Sequence, residues 1–380
     1  MAGPVRTRVV ESISEVDREQ WNGVVRAGGG TPFHSHQWLS AYEEAGPHES
    51  TALHVLAYDG DRLAGVLPAY LTAGCPRLKA HREYVVSRPT WLPEPMLVAH
   101  SLYSYYGGPI CSARDVETEA ALIERFGTEA PARGASVAAL VNVPEQRRST
   151  LERLEAQGYT TSYLSAVMTM EVPYGSFESY LAALPPKHRQ TIRAADRRAT
   201  AAGATAAVVE GVPPLEELKP LEQAILEHHG HADVDLYPTE YLAAVERHMK
   251  DELRCVLVWT PEGSLSCFML LFLSGDAMTG WVAGIDYGVL RQYEPYHHAF
   301  RTVIRYAIEH GVTRLDMGRG SWRFKHRYGY RPTPVYVAMR GNSRRSSTEV
   351  ERWCADLSEF ALRERQEESA KASAATSRTG

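Results

Sequence analysis

The feature that most constrains this chain is a faint internal repeat. His36-Gln37-Trp38-Leu39-Ser40-Ala41-Tyr42-Glu43 opens a predicted helix, and Thr239-Glu240-Tyr241-Leu242-Ala243-Ala244-Val245-Glu246 has the same pattern about 200 residues on. Val55 to Tyr58 followed by Gly60, Leu63, Val66 and Leu67 is echoed by Val256 to Trp259, then Gly263, Leu265 and Cys267 to Leu271. Both read as two strands joined by a polar turn. Gly134 precedes an apolar strand at 137–143, as Gly311 does at 312–317. Gly158-Tyr159 leads into a strand at 165–172, and Gly329-Tyr330 leads into one at 335–339. Four matches in one order predict two related mixed α/β halves. The spacing shortens after the second match, so Ala73 to Cys111, rich in Pro, Tyr and Trp, reads as extra to the first half.

The expected order in each half is helix, two or three strands, helix, strand, helix, strand. Ala299, Val303, Ile304 and Ala307 share one face of a helix over Tyr296 to His310. Pro295 suits its first turn and Gly311 its end. The predicted organisation is a first domain over 1–173 with an insertion at 73–111, and a second over 174–345 with a helical insertion at 176–230. A helix over 346–366 and a disordered Ser/Ala/Lys-rich tail over 367–380 follow.

Composition removes several classes. No apolar run approaches the roughly 20 residues of a membrane helix; Cys255 to Trp259 and Cys267 to Leu273 are examples. Met1 to Ser12 has no apolar stretch behind its arginines, so no signal peptide is expected. The five cysteines, Cys75, Cys111, Cys255, Cys267 and Cys354, form no C-x-x-C pair and read as reduced thiols of a cytoplasmic protein. No spacing suggests a metal site, a P-loop or a G-x-S-x-G nucleophile elbow. Net charge is −5, which excludes a uniformly basic protein but not a basic face.

Three segments carry a family resemblance. They are Thr31-Pro32-Phe33-His34-Ser35-His36-Gln37-Trp38-Leu39; Tyr180 to Leu184 with Lys187-His188-Arg189 and Ile192-Arg193; and Asp316-Met317-Gly318-Arg319-Gly320 with Phe324-Lys325 and Tyr328-Gly329. With the repeat, the chain over about 8–342 resembles two fused GNAT acyltransferase domains of the FemX/FemAB branch. The resemblance implies two sheets, each mixed but mostly antiparallel and flanked by helices. It also implies transfer of an acyl or aminoacyl group, from acyl-CoA or aminoacyl-tRNA, to an amine or hydroxyl. The chain lacks the long coiled-coil arm of some members, so the acceptor is read broadly, as a small molecule or a cell-wall precursor. Lys325 corresponds to the Lys of the family's Phe-Lys segment, implied to stabilise substrate phosphate or the developing oxyanion.

The residues themselves add candidates. A CoA-binding turn presents backbone N–H groups to the pyrophosphate at a helix N-terminus. Here Tyr287 to His298 has no glycine after Arg291, and Pro295 lacks an N–H. Tyr296, His297 and His298 open the helix, where a His can position substrate or take an amine proton. Glu294 complements the helix dipole. Arg314 to Arg345 holds nine cations against Asp316, a net of +8, with Trp322 and Phe324 interleaved. Arg319, Trp322, Arg323, Phe324, Tyr296 and Tyr106 are the expected substrate contacts, and Arg189, Arg193, Arg291 and Arg327 the expected donor-phosphate contacts. Asp316 reads as a general base or as a buried counter-ion to Arg319 or Lys325. Lys187 to Arg198 carries +4, with Arg189, Arg193 and Arg197 on one helix face. Catalytic roles fall to Lys325, Asp316, His297 and His298. With no activated nucleophile in the sequence, the acceptor is expected to attack the acyl carbonyl directly. The competing reading is a non-catalytic binding module with a degenerate donor site. Monomer and homodimer both remain open.

Overall fold

In the computed structural model the described residues are 5–47, 49–73, 94–99, 103–112, 115–228, 230 and 235–376. The first half runs β1 (Arg6–Val10), α1 (Arg18–Ala27), α2 (His36–Ala45), β2 (Ser50–Ala52), β3 (His54–Asp59), β4 (Arg62–Leu67) and β5 (Ala69–Thr72). It continues with β6 (Met96–Ala99), β7 (Ile110–Cys111), α3 (Val116–Ala132), β8 (Val137–Pro144), α4 (Arg148–Ala156) and β9 (Thr160–Glu171). The second half runs α5 (Phe177–Ala183), α6 (Pro186–Ala201), β10 (Thr205–Glu210), α7 (Leu215–His228), α8 (Thr239–His248), β11 (Leu253–Trp259), β12 (Leu265–Ser274) and β13 (Ala277–Ile285). Then come α9 (Leu290–Tyr293), α10 (Pro295–Glu309), β14 (Arg314–Asp316), α11 (Trp322–Arg327), β15 (Arg331–Gly341) and α12 (Arg344–Thr376).

The repeat is real and longer than the sequence pattern shows. β1 pairs antiparallel with β3, and β10 pairs antiparallel with β11, so each half opens on an equivalent strand followed by an equivalent helix, α1 or α7. The expected helical insertion at 176–230 therefore shrinks to α5 and α6. Strand β10 escaped the sequence reading because it is small-residued and half-exposed, so its alternation is weak. The insertion at 73–111 contributes β6, parallel to β8, and β7, antiparallel to β4. Residues 74–93 and 100–102 of it lie outside the described residues.

Two compact units result: residues 1–166 with 334–380, and residues 167–333. The linear boundary at 173/174 does not coincide with them. The chain changes unit inside β9 and inside β15. The last part of β9 pairs with β14, Thr169 opposite Asp316 and Glu171 opposite Arg314. The body of β15 pairs with β8, Val335 opposite Pro144 and Gly341 opposite Val137. Each half thus gives part of its closing strand to the other unit. Strand periodicity reports which face is buried, not which partner is chosen, so the sequence could not reveal this.

In the second unit β10, β11, β12, β13, β14 and the end of β9 form a sheet in that order. All pairings are antiparallel except β13 with β14. The predicted face of α10, Ala299, Val303, Ile304 and Ala307, is buried in one cluster with Val256, Met269 and Leu271 of the sheet. In the first unit β1, β3, β4 and β7 form one sheet, and β8, β6, β5 and β2 follow β15 in another. Helix α12 seats Val350, Trp353, Cys354 and Leu357 against Val137, Ala139, Val337 and Met339. It is helical to Thr376, past the point where a disordered tail was expected; residues 377–380 lie outside the described residues.

Helix α7 lies close against β13 because Gly284 has no side chain. A Cβ there would meet Phe268 at 2.2 Å and the backbone of Leu221 and Glu222 at 2.7 Å. Gly284→Ala should therefore destabilise the second unit by about 1–3 kcal/mol, read as a lower urea midpoint. An unchanged midpoint would show that this contact has slack.

Candidate active site

The site grows from a fork in the second unit's sheet. β13 and β14 are parallel and paired only from Ala277–Arg314 to Thr279–Asp316. Beyond Asp316 the backbone follows β9 instead: Met317 N donates to Met168 O, and Met168 N donates to Gly318 O. β13 meanwhile continues to Ile285 against β12. Met317 lies over Gly280, whose missing Cβ would sit 3.3 Å from its sulfur.

The chain must then reverse into α11. Gly318, Gly320 and Ser321 take φ of 63°, 74° and 49°. Glycine supplies the first two without steric cost. Asp316, 4 % exposed, accepts from Gly318 N at 3.0 Å and closes the turn. Lys325, 3 % exposed, reaches back from α11. Its Nζ donates to Met317 O at 2.6 Å, Arg319 O at 2.8 Å and Gly318 O at 3.4 Å. Three carbonyls around one nitrogen match the three protons of an ammonium. Burial pulls the other way, to a pKa of about 7, opposed by the charge of Asp316. Lys325 thus holds backbone in this structure, and Asp316 acts on it through its charge while accepting from the turn's backbone.

The first turn of α10 joins this turn through rings. Phe324 packs at 4.6 Å from both Tyr296 and His297, 5.1 Å from Phe300 and 5.1 Å from Tyr328. Trp322 packs half-buried on the same core. His297 Nδ1 lies 2.8 Å from the Tyr328 hydroxyl, and its Nε2 faces Glu294 at 3.9 Å. A carboxylate beside Nε2 favours the N–H there, which leaves Nδ1 to accept from Tyr328. Burial takes the His297 pKa down to about 4; Glu294 opposes, and Arg327 and Arg198 add to the fall. His298, 6 % exposed, is also pushed down by burial. Arg301 Nη2 is 2.5 Å from its Nε2, and Arg301 also pairs with Asp196 of α6. An arginine only donates, so Nε2 accepts and Nδ1 carries the proton. A narrow cleft between α6 and α10 is lined by Ile192, Asp196, His297, His298, Arg301 and Tyr328.

The remaining candidates disperse. Arg319 and Arg327 are half-buried, while Arg323 and Arg291 are exposed. Arg193 pairs with Glu178 at 2.7 Å, and Arg189 donates to Ala182 O at 3.2 Å. Tyr106 is buried in the first unit, not in the second with the others. The run of nine cations also divides: Arg340, Arg344 and Arg345 belong to the first unit. There Arg340 lies over the Tyr159 ring and donates to Gly127 O. Linear charge density does not reveal that the chain changes unit inside β15. Sequence reasoning assigned no role to Tyr328 or Arg301, and took Arg198 only as a member of the basic run 187–198. Only the Tyr328-Gly329 motif gave a signal for the first. The described cysteines 111, 255, 267 and 354 are buried, with thiol pKa values raised by burial, to about 12 for Cys255 and Cys354. Cys75 lies outside the described residues.

Lys325 carries a pH signature. Its folded pKa of about 7 lies below that of an unfolded lysine, near 10.4. Between the two the unfolded chain binds more protons, so this residue's contribution to stability rises with pH. The stability difference between the protein and Lys325→Met should shift in the parent's favour from pH 7 to 10, by up to about 1.4 kcal/mol per unit. A difference independent of pH would contradict the assignment.

Residues 186–326 match the family model for the acetyltransferase (GNAT) domain. The sequence matches no curated protein. Among solved structures, FemX superposes with a TM-score of 0.60 at 15% identity, covering 85% of this chain and 96% of its own. L-PGS from Bacillus licheniformis gives 0.56 at 15% identity, over 90% of this chain and 96% of its own. A tandem GNAT protein from the clavulanic acid biosynthesis pathway gives 0.53 at 10% identity, over 89% of this chain and 99% of its own. Among the described residues no helix is long and apolar enough to cross a membrane. The chain therefore carries a GNAT acetyltransferase domain over residues 186–326, within a fold shared with FemX and the tandem GNAT protein.

Proposed function

We propose that the chain moves an acyl or aminoacyl group, from acyl-CoA or aminoacyl-tRNA, onto an amine or hydroxyl of a small-molecule or cell-wall-precursor acceptor. The observation that carries this reading is the fork between β13 and β14, with the Lys325-braced turn where the strands part. It lies inside the segment that matches the GNAT domain. The similarity to a tandem GNAT protein of the clavulanic acid pathway supports a small-molecule acceptor.

The acceptor's lone pair attacks the acyl carbonyl carbon. The resulting tetrahedral oxyanion collapses, the bond to the donor's leaving oxygen or sulfur breaks, and the proton lost by the acceptor balances the one gained by the leaving group. Arg319 stands on the braced turn and is assigned to the oxyanion or to the donor's phosphate. Lys325 and Asp316 act through that turn as positioning residues. The buried thiols support direct transfer over a cysteine-linked intermediate. His297 Nδ1 and His298 Nε2 have internal partners, which favours a role in holding the start of α10 over proton exchange at those two atoms.

Purified protein offered charged tRNA and acyl-CoA in parallel, with amine and hydroxyl acceptors, should form amide or ester product from one of them. Product from neither rejects the reading. Lys325→Ala should lower the rate about 100-fold by letting the turn move. A full rate in that variant would remove the turn from the reaction.

A further inference from the structure

The fit of a CoA diphosphate can be tested at the place where it would bind, a helix N-terminus with open backbone N–H groups. In the second unit that helix is α10. Its first residue is Pro295, which has no N–H. Its N-cap, Glu294, adopts φ 50° and makes no side-chain cap bond. The Glu294 side chain is only 16% exposed and turns to α6, where Arg198 Nε and Nη2 both donate to its Oε1, at 2.8 and 2.6 Å. A carboxylate thus already occupies the positive end of the helix, and the nearest guanidinium is engaged by it.

The first unit repeats this independently. Its equivalent helix is α3, whose N-cap Asp115 accepts from Thr118 N at 3.0 Å and from Thr118 Oγ1 at 2.7 Å. Glu117 and Glu119 stand in the same first turn, with Glu119 bound to Thr150 and Arg153. A diphosphate would meet carboxylates at either helix.

We infer that neither helix start holds a nucleotide diphosphate, and that Glu294 and Asp115 are the residues that exclude it. The inference rests on the acyl-transfer reading only in that it narrows the donor: a CoA thioester does not fit, which leaves a charged tRNA as the donor.

The test is a calorimetric titration of the full chain with CoA and, separately, with inorganic pyrophosphate. The parent protein should show no saturable binding of either. Glu294→Gln leaves the helix start neutral and frees Arg198, so pyrophosphate should bind at least about tenfold more tightly than to the parent. Asp115→Asn keeps a capping oxygen but removes the charge, and should show a gain of the same kind. The double variant Arg198→Met/Glu294→Gln, which removes both partners together, should bind more weakly than Glu294→Gln. It also replaces the single variant as the comparison with the parent if that one fails to fold. Saturable CoA binding by the parent overturns the inference, as does the absence of any gain in the neutralised variants. Failure of the transfer reading shows separately, as no product from charged tRNA or acyl-CoA, and leaves the titration interpretable.

Discussion

A lysine amine surrounded by backbone carbonyls fixes the second unit's candidate site. Lys325 holds the carbonyls of Met317, Gly318 and Arg319, while Asp316 takes the amide of Gly318. Without these bonds, a turn with three positive-φ positions between 318 and 321 would leave buried polar groups unpaired, at a cost of about 1–3 kcal/mol each. With them, β14 can stop after three residues, and α11 can bring Phe324 and Tyr328 onto the start of α10. The rings and the turn are therefore one construction. The lysine is internal to it, so the residue that the family resemblance highlighted shapes the site from behind.

The electrostatics follow the same logic of internal use. An overall charge of −5 coexists with dense basic runs, but many of their members are committed. Arg198 is held by Glu294, Arg193 by Glu178, Arg301 by Asp196, and Arg340 by an aromatic ring and a carbonyl. Exposed pairs such as Arg193–Glu178 contribute little, since solvent screens them. Partly buried ones matter through geometry: they fix which nitrogen or oxygen is left over. At His298 an arginine at Nε2 sets the tautomer, and at His297 the pairing of Glu294 and Tyr328 does.

The halves diverge around a shared plan. Both open on a strand and a helix, and both place acids at the start of the helix that follows their central strands. Additions differ: the first half gains β6 and β7, and the second gains α5 and α6. Helix α6 supplies Asp196 and Arg198 to α10, so an addition whose Arg189 and Arg193 read from sequence as donor-phosphate contacts forms part of the site's wall through other residues.

Much was legible in the sequence because it depends on local pattern. The repeat pointed to two α/β halves, and the periodicity of 299–307 to the buried face of α10. The three-segment resemblance reached the GNAT fold. What tertiary structure alone decided was partnership. The pairing of the closing strands and the Arg198–Glu294 closure join residues far apart in the chain, and the capture of the 317–319 carbonyls by Lys325 joins the two ends of a turn. A strand's alternation and a helix's charge stripe specify a face. They carry no information about which distant face or group will meet it, because that is settled by packing and by the need to pair every buried polar atom.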